Sequence, residues 1–148
     1  MTAEYQLVQV NTAKMIADLD DPVMSGFVQR LVEINALADN SSGFVWRYQT
    51  KEGDATYLRP FDDKRILFNM SVWKTLDDLR NFAYASKHVE LLKKKASWFG
   101  KLDEVHIVLW WIEKGSIPTV DEALAKLNLI QCKGSTIDAF NFAKSFEK

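Results

Sequence analysis

The sequence contains little of what metal and cofactor chemistry usually requires. Of its 148 residues, one is cysteine and two are histidine, so an intramolecular disulfide and a cysteine-based metal site are both excluded. His88 and His106 are not at metal-ligand spacing, and no third candidate joins them, so no zinc site is expected. No glycine-rich phosphate loop, nucleophile elbow or cysteine–histidine pair is present. We therefore predict no metal and no dedicated cofactor.

The chain also lacks an excess of charge of either sign and any long apolar run. Its formal net charge is −1, which gives no sign of binding to polyanions, so nucleic acid is not an expected partner. No apolar stretch is long enough to cross a bilayer, and the polar residues after Met1 do not resemble a signal peptide. We therefore expect a cytoplasmic protein that does not associate with membranes.

Apolar and aromatic residues, by contrast, are abundant. Hydrophobic residues make up 47% of the chain and charged residues 26%, which is the balance of a globular protein with a buried core. The five tryptophans and nine phenylalanines suit both a core and the lining of a cavity for a hydrophobic ligand. No repeat, low-complexity stretch or linker divides the sequence, so residues 1–148 are predicted to form one domain.

Hydrophobic periodicity predicts the element order β-α-β-β-α-β, followed by a further helix. Asp21 before Pro22, and threonines 75 and 119 each with an acidic residue three positions later, are typical helix starts. The segment AFNFA after Gly134 is expected to add a short edge strand. The expected strands are residues 5–11, 44–48, 66–73 and 105–112; the helices are 22–38, about 76–98 with a break near residue 86, and 119–130; residues 49–64 form a loop, with a short strand near residue 56.

This order is the ferredoxin-like arrangement, an α+β fold in which an antiparallel sheet carries helices on one face. The other face of such a sheet is open, yet the strands of this chain are apolar on both sides. In the last strand Ile107, Leu109 and Trp111 alternate with the equally apolar Val108 and Trp110. A second copy of the chain is an economical cover for an open apolar face. We therefore predict a homodimer through the sheet face, as in a dimeric α/β barrel.

Several polar side chains interrupt these apolar elements and are candidate ligand contacts. Asn69 and Ser71 share a strand face with Leu67 and Trp73, and buried polar groups need partners in the protein, in water or in a ligand. Arg47 lies in the neighbouring strand. Its guanidinium is expected either to form an ion pair at the rim or to hold an anionic ligand group.

His88 is the sharpest candidate for chemistry. Tyr84, His88 and Trp98 fall on one helical stripe if their helix is continuous. An imidazole there would act as a general base, bind a substrate carbonyl or ligate haem iron; the alternative is a partly exposed histidine that caps carbonyl groups. Asn35 shares the predicted sheet-facing stripe of the first helix with Val28, and either bonds to backbone or lines a cavity.

The sequence contains the blocks DDPVMSGFVQRLVEINALADNSSGFVWR, NMSVW, FAYASKH with WF, LWW and GSIPTVDEAL. These blocks closely resemble one bacterial family and follow the same order along nearly the whole chain. The family is known as domain of unknown function 3291 and is placed with the dimeric α/β barrels. Relatives in that superfamily include antibiotic-biosynthesis monooxygenases, haem-degrading monooxygenases and spheroidene monooxygenase.

The segment NMSVWKTLDDLRNFAYASKH is similar to a monooxygenase pattern in which a strand ends in tryptophan and the following helix leads to Ser-x-His. The resemblance implies a small-molecule-binding fold and a pocket position for His88. We predict that His88 and Asn69 are catalytic. The predicted substrate-binding residues are Arg47, Ser71, Trp73, Tyr84, Trp98 and Asn35.

Three functions are compatible with these features. The first is a monooxygenase-like enzyme for a hydrophobic or aromatic substrate, in which Asn69, Arg47 and His88 orient oxygen atoms and help to remove a proton before oxygen attacks. The second is a haem-binding protein or haem-dependent oxidase that uses His88. The third is a non-catalytic dimeric binding module whose aromatic residues are core.

Overall fold

The long first strand organises the sheet. Strand β1 (Tyr5–Met15) pairs along one edge with β3 (Ile66–Trp73), and β2 (Phe44–Arg47) pairs with the far edge of β3. Along its other edge β1 pairs with β5 (Ile107–Glu113) and, at its end, with the short β4 (Phe99–Gly100). All these pairings are antiparallel. The computed structural model of the chain describes residues 4–18, 20–49, 65–84, 99–100 and 107–148.

Three helices complete the described fold. A short 3-10 turn (Pro22–Met24) leads into α1 (Ser25–Asp39), which connects β1 to β2. Helix α2 (Leu76–Ala83) follows β3, and α3 (Val120–Lys133) follows β5. Because β3 lies between β1 and β2, and β1 lies between β3 and β5, the chain forms two interleaved crossovers, which is the ferredoxin-like topology. The predicted α+β fold with an added C-terminal helix is confirmed.

The predicted helix starts are confirmed by their side chains. Thr75 and Thr119 each accept a hydrogen bond from the backbone N–H three residues later, at 3.0 and 3.1 Å. The Asp21 carboxylate accepts one from the N–H of Val23 at 3.0 Å. Each bond satisfies one of the backbone donors that the first turn of a helix leaves without a partner.

Helix α2 ends where the predicted helical stripe of Tyr84, His88 and Trp98 was expected to begin. Its last helical residue is Ala83, and Tyr84 leaves the helical conformation, with φ −107° and ψ 7°. Tyr84 therefore does not continue the helix, and the end of α2 lies close to the break predicted near residue 86. The rest of the predicted helix lies outside the described residues, as do the loop after residue 49 and its short strand.

Helix α3 covers one face of the sheet. It contributes Ala123, Leu127 and Ile130 to a single apolar cluster with the strands. The ring N–H of Trp110 also donates to a carboxylate oxygen of Glu122 at 3.2 Å, which joins β5 to the helix. The strand residues of this cluster, none more than 9% exposed, are Val8, Val10, Phe68, Met70, Val72, Val108, Trp110 and Ile112.

This cover removes the reason for which a second copy was predicted. The prediction assumed an open apolar face, but Val8, Val10 and Met70 have no exposed surface within a single chain. A homodimer stays a prediction, and any such dimer has to accommodate α3.

The opposite face, which we call the helix-side face, carries two apolar clusters at its two ends. At one end Met15 and Leu67 pack with Met24 of the 3-10 turn, and Phe27 of α1 lies against them. At the other end α2 packs on the strands. That second cluster consists of Leu7, Trp73, Leu76, Leu79, Leu109 and Phe140.

The segment after α3 returns to the edge of the sheet. Leu109 and Phe140 exchange two backbone hydrogen bonds, at 2.7 and 2.9 Å, and form an isolated bridge. The predicted edge strand at AFNFA is thus present as a single pair of residues. Further along, the ring N–H of Trp111 donates to the carbonyl of Phe146 at 2.9 Å. Within the described ranges, no helix has the length and apolar character that a membrane span requires.

We predict that replacing Leu127 with alanine lowers the free energy of unfolding by about 2–5 kcal/mol, the usual cost of truncating a buried leucine. The side chain is 5% exposed and lies between α3 and the sheet. The exposed neighbour Asn128 provides the control, since Asn128→Ala is expected to change stability by no more than about 0.5 kcal/mol. Urea denaturation followed by tryptophan fluorescence measures both; equal effects would show that α3 does not pack on the sheet.

Candidate functional site

A polar strip crosses the middle of the helix-side face. It consists of Gln9 and Asn11 on β1 and Asn69 and Ser71 on β3, with Gln9 opposite Ser71 and Asn11 opposite Asn69. Gln9 and Ser71 are buried, at 7% and 6% exposure, whereas Asn11 and Asn69 are exposed. Solvent therefore reaches two central strands at the middle of the sheet.

Asn11 and Asn69 lie between the two apolar clusters of the helix-side face, and no described element buries them. The apolar cluster around Met15 lies at one end and the cluster around Trp73 at the other. The inward side chains of α1, such as Phe27, Ile34 and Leu37, are only half-buried. We call the region of the helix-side face between these two clusters, with the polar strip at its centre, the recess.

A hydrogen-bond network holds the side chains of the strip. The amide nitrogen of Gln9 donates to Asn69 Oδ1 at 2.7 Å and to Ser71 Oγ at 3.0 Å. The ring N–H of Trp73 donates to the same Ser71 oxygen at 2.9 Å. In the part of the chain that the structure describes, every buried side-chain nitrogen and oxygen has a hydrogen-bond partner. The network therefore satisfies its buried members and orients Asn69 at the edge of the recess.

Gln9 is the member of this network that sequence reasoning missed. The alternation in YQLVQVN places Gln9 on the same strand face as Leu7 and Asn11, so a polar residue on an apolar face was a visible signal. The residues that it contacts lie 60 and 62 positions away in the chain. Only the register between β1 and β3 brings them together.

Trp73 is a core residue as well as a member of the network. Its ring is 1% exposed, stacks on Phe82 at 5.0 Å between ring centroids and meets the edge of Phe44 at 5.5 Å. The ring N–H, which is its one polar hydrogen, donates to Ser71. Trp73 therefore affects the recess by orienting the Ser71 hydroxyl, to which its ring N–H donates.

A β-bulge in β2 brings Arg47 to the helix-side face. The bulge lies between Phe44 and Trp46, so that Phe44 pairs with Trp73 while Arg47 pairs with Ser71. An extra residue in one strand turns the following side chains by one position. The Arg47 side chain is 15% exposed and forms an ion pair with Asp39 at the end of α1, with Nε–Oδ1 at 2.8 Å. The structure thus shows the ion pair that was one of the two expectations for Arg47.

Two of the remaining predicted contacts, Asn35 and Tyr84, are described, and the other two lie outside the described residues. Asn35 is half-buried on α1, while Val28, predicted on the same sheet-facing stripe, is 41% exposed. Phe27 and Ile34 are also half-buried. Tyr84 is exposed, and its ring lies edge-on to Phe142 at 6.1 Å. The predicted site residues His88 and Trp98, like His106, lie outside the described residues.

The chemistry of the described site is that of uncharged hydrogen-bonding groups. No group of three or more histidine, cysteine, aspartate or glutamate side chains within the described ranges is placed to hold a metal ion. The amides and hydroxyl of the strip suit a polar atom of a small organic molecule, and the apolar clusters suit its carbon skeleton.

The chain belongs to the family described as Domain of unknown function (DUF3291), which it matches over residues 6–148. This match confirms the family resemblance that the sequence blocks indicated. No curated protein matches the chain.

Several solved structures are similar to the fold. SnoaB, a cofactor-independent oxygenase from Streptomyces nogalater, is 14% identical with a TM-score of 0.49, over 78% of this chain and 96% of that chain. A protein of unknown function from Nitrosomonas europaea is 10% identical with a TM-score of 0.49, over 80% and 97%. A dabb family protein with a ferredoxin-like fold from Mesorhizobium loti is 9% identical with a TM-score of 0.46, over 77% and 98%. These similarities are too distant to assign an activity to this chain.

We predict that Ser71→Ala lowers the free energy of unfolding by about 1–3 kcal/mol, because the substitution removes the acceptor of two hydrogen bonds and leaves the buried Trp73 N–H without a partner. Ser42→Ala is the control, since Ser42 is exposed. Thermal or urea unfolding measures both variants. A Ser71 variant as stable as the Ser42 variant would contradict the network.

Proposed function

We propose that this protein binds a small hydrophobic or aromatic molecule in the recess. The observation that supports this most is the exposure of Asn11 and Asn69 on central strands of the face that helices normally cover in this fold. Apolar clusters at both ends of the recess would bury the carbon skeleton of the ligand. The amides between them would fix its orientation, which is the usual composition of a small-molecule site.

We further propose that the bound molecule is a substrate of a monooxygenase-like reaction that needs no dedicated cofactor. Asn69 would hydrogen-bond a substrate oxygen, and His88 would remove a proton from the neighbouring carbon before that carbon attacks molecular oxygen. The match of NMSVW and the later Ser-x-His to a monooxygenase pattern supports this assignment. The remaining substrate contacts in this proposal are Arg47, Ser71, Trp73, Tyr84, Trp98 and Asn35.

The catalytic proposal is tested with a turnover screen of quinols and aromatic ketones, followed by oxygen consumption. We predict that His88→Ala lowers kcat by about 100-fold or more, the usual contribution of a general base. Asn69→Ala is predicted to lower kcat/KM by about tenfold, the loss of one hydrogen bond to the substrate. Asn128→Ala, on the helix that covers the other face of the sheet, is the control and should be as active as the wild type.

The outcomes of this screen separate the three functions. Unchanged activity in both site variants would show that the site assignment is wrong. A wild type that binds ketones without consuming oxygen would leave a binding module. A purified protein with a Soret absorbance that disappears in His88→Ala would instead favour haem binding, and a protein that fails to bind added haemin would exclude it.

A homodimer through the sheet face is also a proposal, and the resemblance to dimeric α/β barrels supports it. The structure supports it less, because α3 of the same chain already buries that face. Light scattering coupled to size exclusion tests the assembly. The proposal predicts a mass of about 34 kDa, twice the 17.0 kDa of one chain, and a mass near 17.0 kDa at high protein concentration would refute it.

A further inference from the structure

We infer that Gln9 is a positioning residue that makes the polar strip a set of hydrogen-bond donors, so that the recess selects a ligand with an acceptor oxygen, such as a ketone or an enolate. The inference rests on the proposed small-molecule site and names the class of ligand that the site takes. It assigns a role to a residue that the monooxygenase pattern does not contain.

The first step concerns Asn69. Gln9 directs its amide nitrogen at Asn69 Oδ1, at 2.7 Å. The oxygen and nitrogen of a primary amide lie on opposite sides of a planar group. With its oxygen turned towards Gln9, Asn69 therefore presents its N–H groups on the side away from β1. Asn69 is exposed, so we place these N–H groups within reach of a molecule bound in the recess.

The second step concerns Ser71. Its oxygen accepts from Gln9 at 3.0 Å and from the Trp73 ring at 2.9 Å. A hydroxyl group has two acceptor positions and one donor. Both acceptor positions of Ser71 are occupied, so the hydroxyl has only its O–H left to offer. The indole ring of Trp73 can donate a hydrogen bond but has no acceptor atom. Its bond to Ser71 therefore runs from Trp73 to Ser71.

The consequence is a preference for one kind of ligand atom. A carbonyl or enolate oxygen can accept hydrogen bonds from both Asn69 and Ser71 and gains from each. A ligand that offers only N–H groups meets other donors there, and each donor that is desolvated without a partner opposes binding. Gln9 sets this preference without having to touch the ligand itself.

A direct test of the hydrogen-bond direction needs no ligand. In nitrogen-15-labelled protein, the side-chain amide protons of Gln9 are expected to exchange with solvent at least about tenfold more slowly than those of Asn69, because only the Gln9 protons are buried donors. The Gln9→Met and Asn69→Ala variants assign the two signals. Slow exchange of the Asn69 amide with fast exchange of the Gln9 amide would mean the reverse direction and would overturn the inference.

A second test uses three probes with one carbon skeleton. These are tetralin, which has no polar atom, 1-tetralone, which carries an acceptor oxygen, and 1-aminotetralin, which is an ammonium donor at neutral pH. Binding is measured by calorimetry or by shifts of the recess signals. We predict that wild type binds 1-tetralone about tenfold more tightly than tetralin, the value of roughly one hydrogen bond, and 1-aminotetralin no more tightly than tetralin.

Gln9→Met and Gln6→Met form a matched pair for this test. Both glutamines are 7% exposed on β1, but Gln6 pairs with Ile112 and faces α3. The preference for 1-tetralone over tetralin should fall towards unity in Gln9→Met, because Asn69 and Ser71 lose the group that orients them. It should be unchanged in Gln6→Met. A ratio within one variant is independent of how much of that variant is folded.

The outcomes distinguish the inference from the proposed function. If the probes shift the recess signals but 1-tetralone has no advantage, or if Gln9→Met keeps that advantage, the role of Gln9 is refuted and the small-molecule site stands. If none of the three probes binds at the recess, the proposed function fails, and the inference fails with it.

Discussion

The pairing of β1 on both of its edges is the interaction on which the rest of this structure depends. Its 11 residues share hydrogen bonds with β3 on one side and with β5 and β4 on the other. Buried backbone groups are costly without partners, so a central strand must be matched along its whole length. That match sets the register, and a shift by one residue would move every side chain of β1 to the other face.

The register gives the two faces of the sheet different roles. Val8 and Val10 join the apolar cluster under α3. Leu7 and Met15 belong to the two clusters of the helix-side face, which the polar strip separates. Burying Gln9 and Ser71 is tolerated because each has a partner, although an apolar pair would not need one. Such a network is specific and holds its members rigidly, which is the property that a ligand-orienting surface requires.

The sequence predicted the elements well because the signals for them are local. Proline and threonine helix starts, alternating strands and the apolar runs of β3 and β5 depend on neighbours within a few residues, and the structure confirms them. The end of α2 at Ala83 was harder to place, since the apolar pattern continues beyond it. Asn69, Ser71 and Arg47 were correctly recognised as polar residues within strands, yet their partners could not be read from the sequence. Gln9 was missed for the same reason.

The sequence by itself determined the ferredoxin-like order of elements, the family and the presence of polar residues inside apolar strands. Only the tertiary structure decided which face α3 covers, where the β2 bulge directs Arg47, and that Gln9 holds both Asn69 and Ser71. Helix and strand formation depend on contacts between residues close in the chain. The cover of a sheet face and the direction of a hydrogen bond depend on residues such as Gln9 and Asn69, 60 positions apart, which only the packed chain brings together.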